Sequence, residues 1–181
     1  DAPIGFERDD EPLNLVPTSS FTFQYARPVK FTGLLARYVV SPKLSVLGLV
    51  ANGWDAEVDN NSGKTGGLKL QVFPSSNLAV AAGALYGPEE DLTNSGKRTL
   101  LTGDLTWQPS QRLIVQAEGH YGSQQSTNWS GVVGQAFLRF GRRTGLTVRG
   151  DVLDDPDGAR TGTGQTLSSL TVSPWYFYRE A

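Results

Sequence analysis

Residues 64–86 read KTGGLKLQVFPSSNLAVAAGALY, and this stretch decides the fold. Gly66, Leu68, Leu70 and Val72 share one face of an extended chain, with Gly67, Lys69 and Gln71 on the other. After Pro74-Ser75-Ser76-Asn77 the chain returns with Leu78, Val80, Ala82, Ala84 and Tyr86 on one face and small residues on the other. A period of two marks a half-buried strand, because a helix repeats every 3.6 residues. The stretch is a hairpin of two strands of about ten residues each.

Working outward, the turn recurs. Ser41-Pro42-Lys43-Leu44-Ser45-Val46 precedes it, Pro109-Ser110-Gln111-Arg112-Leu113-Ile114-Val115 follows it, and Gly141 to Val148 carries a weaker copy. A spacing of about 33 residues would by number suggest helical repeats. The intervening segments alternate at period two and are studded with Gly and Pro, so each repeat is a pair of strands. About ten strands are predicted, at 20–26, 30–41, 43–53, 64–74, 77–87, 97–108, 111–122, 129–140, 144–153 and 164–175. Short turns lie at one end and longer polar loops at the other. Two of these loops resemble each other, Asn60-Asn61-Ser62-Gly63-Lys64 and Thr93-Asn94-Ser95-Gly96-Lys97. The loops are acidic as well: Asp55, Glu57 and Asp59, then Glu89, Glu90 and Asp91, then Asp154, Asp155 and Asp157. Residues 1–18, with Pro3, Pro12, Pro17 and the run Glu7-Arg8-Asp9-Asp10-Glu11, read as a leader or loop before a strand domain over 19–181. Beginning at Asp1 without Met or signal peptide, the chain reads as a mature or excised piece.

Composition narrows the class. The 181 residues include 21 Gly, no Cys and no Met, with 19% charged residues and a net charge of −2. Glycine without a collagen period fits a turn-rich β protein. Absent cysteine rules out a disulfide framework and a thiolate metal site, and the charge argues against a nucleic-acid surface. No apolar run approaches the roughly 18 residues of a membrane helix, a test that says nothing of barrel strands.

Aromatic residues add a second pattern. Phe73, Trp107 and Phe140 stand just before short turns, and Trp54, Tyr86, Tyr121 and Trp129 stand at the loop ends. Two aromatic rows about ten strand residues apart match the girdles of a transmembrane β-barrel. Between them one face is apolar: Leu101, Gly103 and Leu105; Val115, Ala117 and Gly119; Val132, Gly134, Ala136 and Leu138; Leu146, Val148, Gly150 and Val152. The other carries Arg37, Lys69, Gln71, Asp104, Gln116, Glu118, His120, Gln135, Arg139, Arg149 and Asp151. A soluble sandwich would bury the apolar face and put these charges in water. A barrel in lipid inverts the arrangement, so the expectation is an all-β, antiparallel, up-and-down transmembrane β-barrel with these eleven residues lining the pore. Closure would also remove the exposed edges of an open sheet.

Several motifs resemble one family. Val50-Ala51-Asn52-Gly53-Trp54-Asp55 followed by Asp59 to Lys64, the run Asp151-Val152-Leu153-Asp154-Asp155-Pro156-Asp157-Gly158-Ala159-Arg160 through Gly164-Gln165-Thr166-Leu167, and Pro3-Ile4-Gly5 are similar to the OmpL-like β-barrel porins of Gram-negative outer membranes. The resemblance spans nearly the whole chain. It implies an outer-membrane barrel among lipid and lipopolysaccharide, porin-like passage of small hydrophilic solutes, and no cofactor. It implies about twice this length and a terminal strand ending in an aromatic residue. This chain ends Tyr176-Phe177-Tyr178-Arg179-Glu180-Ala181. Set against that pattern, it reads as a piece of a larger barrel or a smaller barrel of about ten strands.

Other chemistry is weaker. His120 lies near Glu118, Ser123 and Ser126, the residue types of a hydrolytic triad, but no Gly-x-Ser-x-Gly elbow is present. Asp154-Asp155-Pro156-Asp157-Gly158 fails the EF-hand spacing, which would put Leu153 and Gly164 at ligand positions. A solvated acidic loop, or one meeting lipopolysaccharide through bridging divalent cations, fits better. Gly162-Thr163-Gly164 has no following helix to bind a phosphate. Neither a catalytic nor a metal site is expected. Arg37, Lys69, Arg139 and Arg149 against Asp104, Glu118 and Asp151 predict a pore of weak ion selectivity, or side chains that pair and plug a narrow barrel. The alternatives are a non-conducting structural or adhesion barrel acting through its acidic loops, and a soluble β-barrel that binds a ligand inside.

Overall fold

The computed structural model describes residues 2–9, 14–59 and 61–178. Alternating sequence becomes strand from residue 33 onward: β1 (Gly33–Ser41), β2 (Leu44–Ala51), β3 (Thr65–Ser75), β4 (Leu78–Glu90), β5 (Thr93–Ser110), β6 (Leu113–Gln124), β7 (Thr127–Arg139), β8 (Thr144–Asp155) and β9 (Gln165–Tyr176). Each strand pairs antiparallel with its neighbours in sequence, giving one sheet in the order β1 to β9. The sheet is not closed: β1 and β9 each have one edge without a strand partner among the described residues. Asn60 in one of the look-alike loops, Asp10 and Glu11 in the N-terminal charge run, and the ending Arg179-Glu180-Ala181 lie outside the described residues.

Register joins like with like across the strands. One row runs Leu44, Val72, Val80, Leu105, Ala117, Gly134, Gly150 and Leu170. A parallel row runs Leu78, Trp107, Val115, Ala136, Val148 and Val172. This face is apolar and largely open, with Leu101 51% and Val132 57% exposed. Displaced by one residue, the opposite rows contain Ser45, Gln71, Ala81, Asp104, Glu118, Val133, Asp151 and Ser169. Because side chains alternate strictly, a slip of one residue would exchange the two faces.

The N-terminal segment lies on the second face. Its contacts run from Leu49 of β2, clustered with Ala2 and Ile4, to Trp175 of β9, whose Nε1 donates to Leu15 O at 3.1 Å. A single segment touching one face across so many strands means that the sheet curls around it, making this face concave. The core sits here, built by Ala2, Ile4 and Ala26 of the segment with Leu49, Leu85, Leu100, Trp129 and Leu153 of the wall.

Two expectations are corrected. The strand predicted at 20–26 is instead a single wide helical turn, Thr22–Ala26. Phe21, Phe23 and Tyr25 mimic strand alternation, but Ser20 holds the turn: its Oγ accepts from Phe23 N at 2.9 Å and its O from Gln24 N at 3.1 Å. The turn packs on β7 at Gly131, where a Cβ would sit 3.0–3.1 Å from Ala26 and Thr22. The loops expected around 88–96 and 123–128 are tight turns. Pairing continues to Glu90↔Thr93 and Gln124↔Thr127, and Leu92 (φ 63) and Gln125 (φ 53) take left-handed conformations to close them. Only the β2–β3 and β8–β9 connections are long.

Gly131→Val should displace the helical turn without breaking the strand, costing about 1–3 kcal/mol by overpacking. Denaturant unfolding of the detergent-refolded chain, followed by tryptophan fluorescence, would report it.

Candidate functional site

The chemistry is concentrated on the concave face. All eleven residues of the polar set lie there by strand parity, ten of them in two groups, and a third group of other residues gathers at the loop end.

The first group is ionic and buried. Register puts Asp104 directly opposite Glu118, a like-charge pair that is unfavourable without cations. Lys69 Nζ meets Asp104 Oδ2 at 2.8 Å, and Arg27 Nε meets Glu118 Oε1 at 3.3 Å. Glu118 also takes Phe6 N at 2.6 Å and faces His120 Nε2 at 3.0 Å. The Glu118 and His120 side chains are fully buried. Arg149 reaches Glu7 Oε1 at 2.9 Å and bonds to Thr18. Asp151 accepts Phe21 N at 3.0 Å and the Ser169 hydroxyl. Glu7 is bonded further by Ser20 through its N and Oγ. Burial raises the Glu7 carboxyl above its ordinary value, opposed by the Ser20 hydrogen bond and Arg149. Burial likewise pulls the Arg27 guanidinium down, opposed by Glu118 and Glu7.

Gly5 explains how the segment comes so close. It holds φ +67, and a side chain there would run into the Glu118 carboxylate. Glu7 and Arg27, the segment's two charges that meet the wall, had no signal in the sequence beyond their charge.

The second group is amide and hydroxyl. Gln135 Nε2 donates to Gln116 Oε1 at 2.8 Å, and Gln116 Nε2 to Thr106 Oγ1 at 3.3 Å. Arg37 and Gln71 meet at 3.3 Å. Arg139 stands apart near the β7–β8 turn, its guanidinium 5.0 Å above the Phe177 ring.

The third group closes the loop end. Trp54 and Trp129 meet edge to face at 6.1 Å, flanked by Arg98 (4.7 Å from Trp54) and Arg160 (5.0 Å from Trp54, 5.3 Å from Trp129). Trp129 Nε1 donates to Ala26 O at 2.9 Å and Arg160 Nε to Tyr25 O at 2.7 Å. Burial lowers the Arg160 guanidinium, offset first by Asp55.

Of the seven aromatics expected in girdles, Tyr86, Trp107, Tyr121 and Phe140 are exposed. Trp54, Trp129 and Phe73 are not on the outer face. Trp129 is 1% exposed and carries the core, and Phe73 lines the inner cavity. Parity gave this away: Trp129 shares a face with Gln135, and Phe73 with Lys69 and Gln71. The triad residues do not assemble, since Ser123 lies on the convex face. The acidic run at 154–157 is not simply solvated. Asp155 is fully buried and accepts Arg160 N (3.0 Å) and Thr161 N (2.8 Å), Asp154 accepts Thr166 Oγ1 (2.7 Å), and Asp157 accepts Asn128 N (3.1 Å).

A family profile described as "Putative beta-barrel porin-2, OmpL-like" matches residues 2–179. The chain belongs to this family. No curated protein and no solved structure matches it. The stretches of sequence similar to this family tie the loop end together and to the N-terminal segment. Asp55 (φ 55) accepts Val29 N and Lys30 N, both at 2.8 Å, while Trp54 N donates to Glu89 at 2.8 Å. Ala2 N donates to Val29 O at 2.7 Å beside Pro3-Ile4-Gly5.

Arg27→Ala strands a buried carboxylate and should cost about 3–5 kcal/mol, most of which the double variant Arg27→Ala/Glu118→Ala recovers. Comparing unfolding of the two single variants with the double would read the coupling directly.

Proposed function

We propose that this chain forms an outer-membrane, porin-like channel wall that passes small hydrophilic solutes and ions among lipid and lipopolysaccharide. The observation that carries the reading is the inversion of the two faces. The convex face presents Leu68, Leu101, Val132, Val148 and Leu170 to the surroundings in continuous cross-strand rows. The concave face holds Arg27, Glu118, Arg149 and Asp151 nearly shut off from solvent. Monomeric soluble proteins rarely leave an apolar surface of that extent uncovered, whereas hydrocarbon requires it. Tyr86 and Tyr121 toward the loops and Trp107 toward the short turns supply the polar-tipped rings that favour both membrane interfaces, with the Phe140 ring at the same end as Trp107. Membership of a porin-like family supports the same conclusion. The proposed division is residues 1–18 as a leader and 19–181 as the barrel domain, whose strands begin at Gly33.

The second reading is a non-conducting barrel acting through its loops. It is favoured by the N-terminal segment, which fills the side of the concavity along β6 to β8.

Leu105→Arg places a cation on the lipid face and should cost about 2–4 kcal/mol near the midplane. Gln116→Arg, on the inner wall, should fold normally and change conductance. Folding is read by urea titration in lipid vesicles, and conductance by single-channel recording in a planar bilayer. Stable open steps support the channel; folding without steps supports the second reading. Harmless Leu105→Arg beside an unfolded Gln116→Arg would reverse the assignment of faces.

A further inference from the structure

The N-terminal segment does not cover the wall evenly, and what it leaves uncovered differs in charge from the wall as a whole. Counted by sequence, the wall's cations and anions come close to balance. The segment meets Glu118 with Arg27 and Phe6 N, Asp151 with Phe21 N, and Arg149 with Glu7. Those charges are cancelled in place. Between residues 2–8 and the inner face of β1 to β6 a cavity of about 790 Å³ remains. Among the described residues, the charged side chains lining it are Arg8, Arg37, Lys69 and Asp104. Three cations face one anion, and that anion is already engaged by Lys69 at 2.8 Å. Among the described residues Arg37 has only neutral hydrogen-bond partners, Gln71 Oε1 at 3.3 Å and Ser45 Oγ at 3.4 Å. Arg8 forms no ion pair among the described residues.

We propose that this cavity binds a small solute bearing an oxyanion, carboxylate or phosphate, and that it makes passage through the chain anion-selective. The guanidinium of Arg37 offers a planar fork of donors matched to two oxygens. Lys69 lies in register with Arg37 across β2, through Leu47, so both cations project from the same row of the wall. Low-dielectric walls focus this excess positive charge on the space between them, and charged side chains in a pore set the sign of the ion that passes. The selectivity rests on the porin-like reading; the binding does not.

The whole chain is refolded into a planar bilayer and its reversal potential measured in a potassium chloride gradient. The expected result is chloride preferred over potassium, the preference weakened or reversed in Arg37→Glu and retained in Arg37→Lys. Potassium preference, or a reversal potential that Arg37→Glu leaves unmoved, overturns the proposal. In parallel, equilibrium dialysis of the detergent-refolded chain against radiolabelled inorganic phosphate reads binding without conduction. Phosphate retained by the parent chain and lost in Arg37→Glu upholds the site even if no channel opens, in which case the porin-like reading alone fails. No phosphate retained by the parent chain overturns the site.

Discussion

One buried carboxylate organises the interior. Glu118 stands opposite Asp104 on the neighbouring strand, and the fold can hold both charges only by bringing cations to them. Lys69 serves the first from within the wall. Glu118 takes Arg27 and the backbone N–H of Phe6, the latter 112 residues before it in sequence. A buried charge without partners is far more costly than a paired one, so the position of the N-terminal segment follows from the charge of the wall. Gly5 at positive φ, the helical turn on Gly131 and the Ser20–Glu7 bonds are the local adjustments that let it reach.

The two ends of the sheet are built differently from the middle. At the loop end, Trp54 and Trp129 sit between two guanidinium groups, and Asp55, Glu89 and Asp155 accept backbone N–H groups, Asp155 fully buried. Acidic loops that look like a ligand surface in the sequence thus become the fastening of the core. At the turn end, Phe137, Trp175 and Phe177 gather on the inner side, Trp175 and Phe177 stacked at 6.0 Å. The middle of the concave face is left to polar groups, and there the open cavity lies.

The strands and their faces were legible because period two is a strong signal when the two faces differ. Val132, Gly134, Ala136 and Leu138 against Gln135 and Arg139 fix β7 without any knowledge of its neighbours. The same parity would have turned Trp129 and Phe73 inward; position relative to the turns misled there. Residues 20–26 failed for another reason. Phe21, Phe23 and Tyr25 alternate as a strand would; Ser20 bonds the turn locally, but Ser20 is itself held by distant Glu7, and Asp151 and the bare backbone at Gly131 seat the turn. No local pattern encodes such contacts. The loops around 91 and 125 were misjudged because polar residues such as Thr93 and Asn128 continue the ladder once strands are long enough to rise beyond the core.

The connectivity also orders events in time. Every strand pairs with the strand next to it in sequence, so the sheet can grow hairpin by hairpin, most closures spanning a short turn. The segment that fills the concavity obeys no such rule, since Glu7 meets Arg149 across 142 residues and Phe21 meets Asp151 across 130. Contacts of that separation come late and slowly. The N-terminal segment is therefore last to find its place, and until it docks, Glu118 and Arg149 lack the partners it brings.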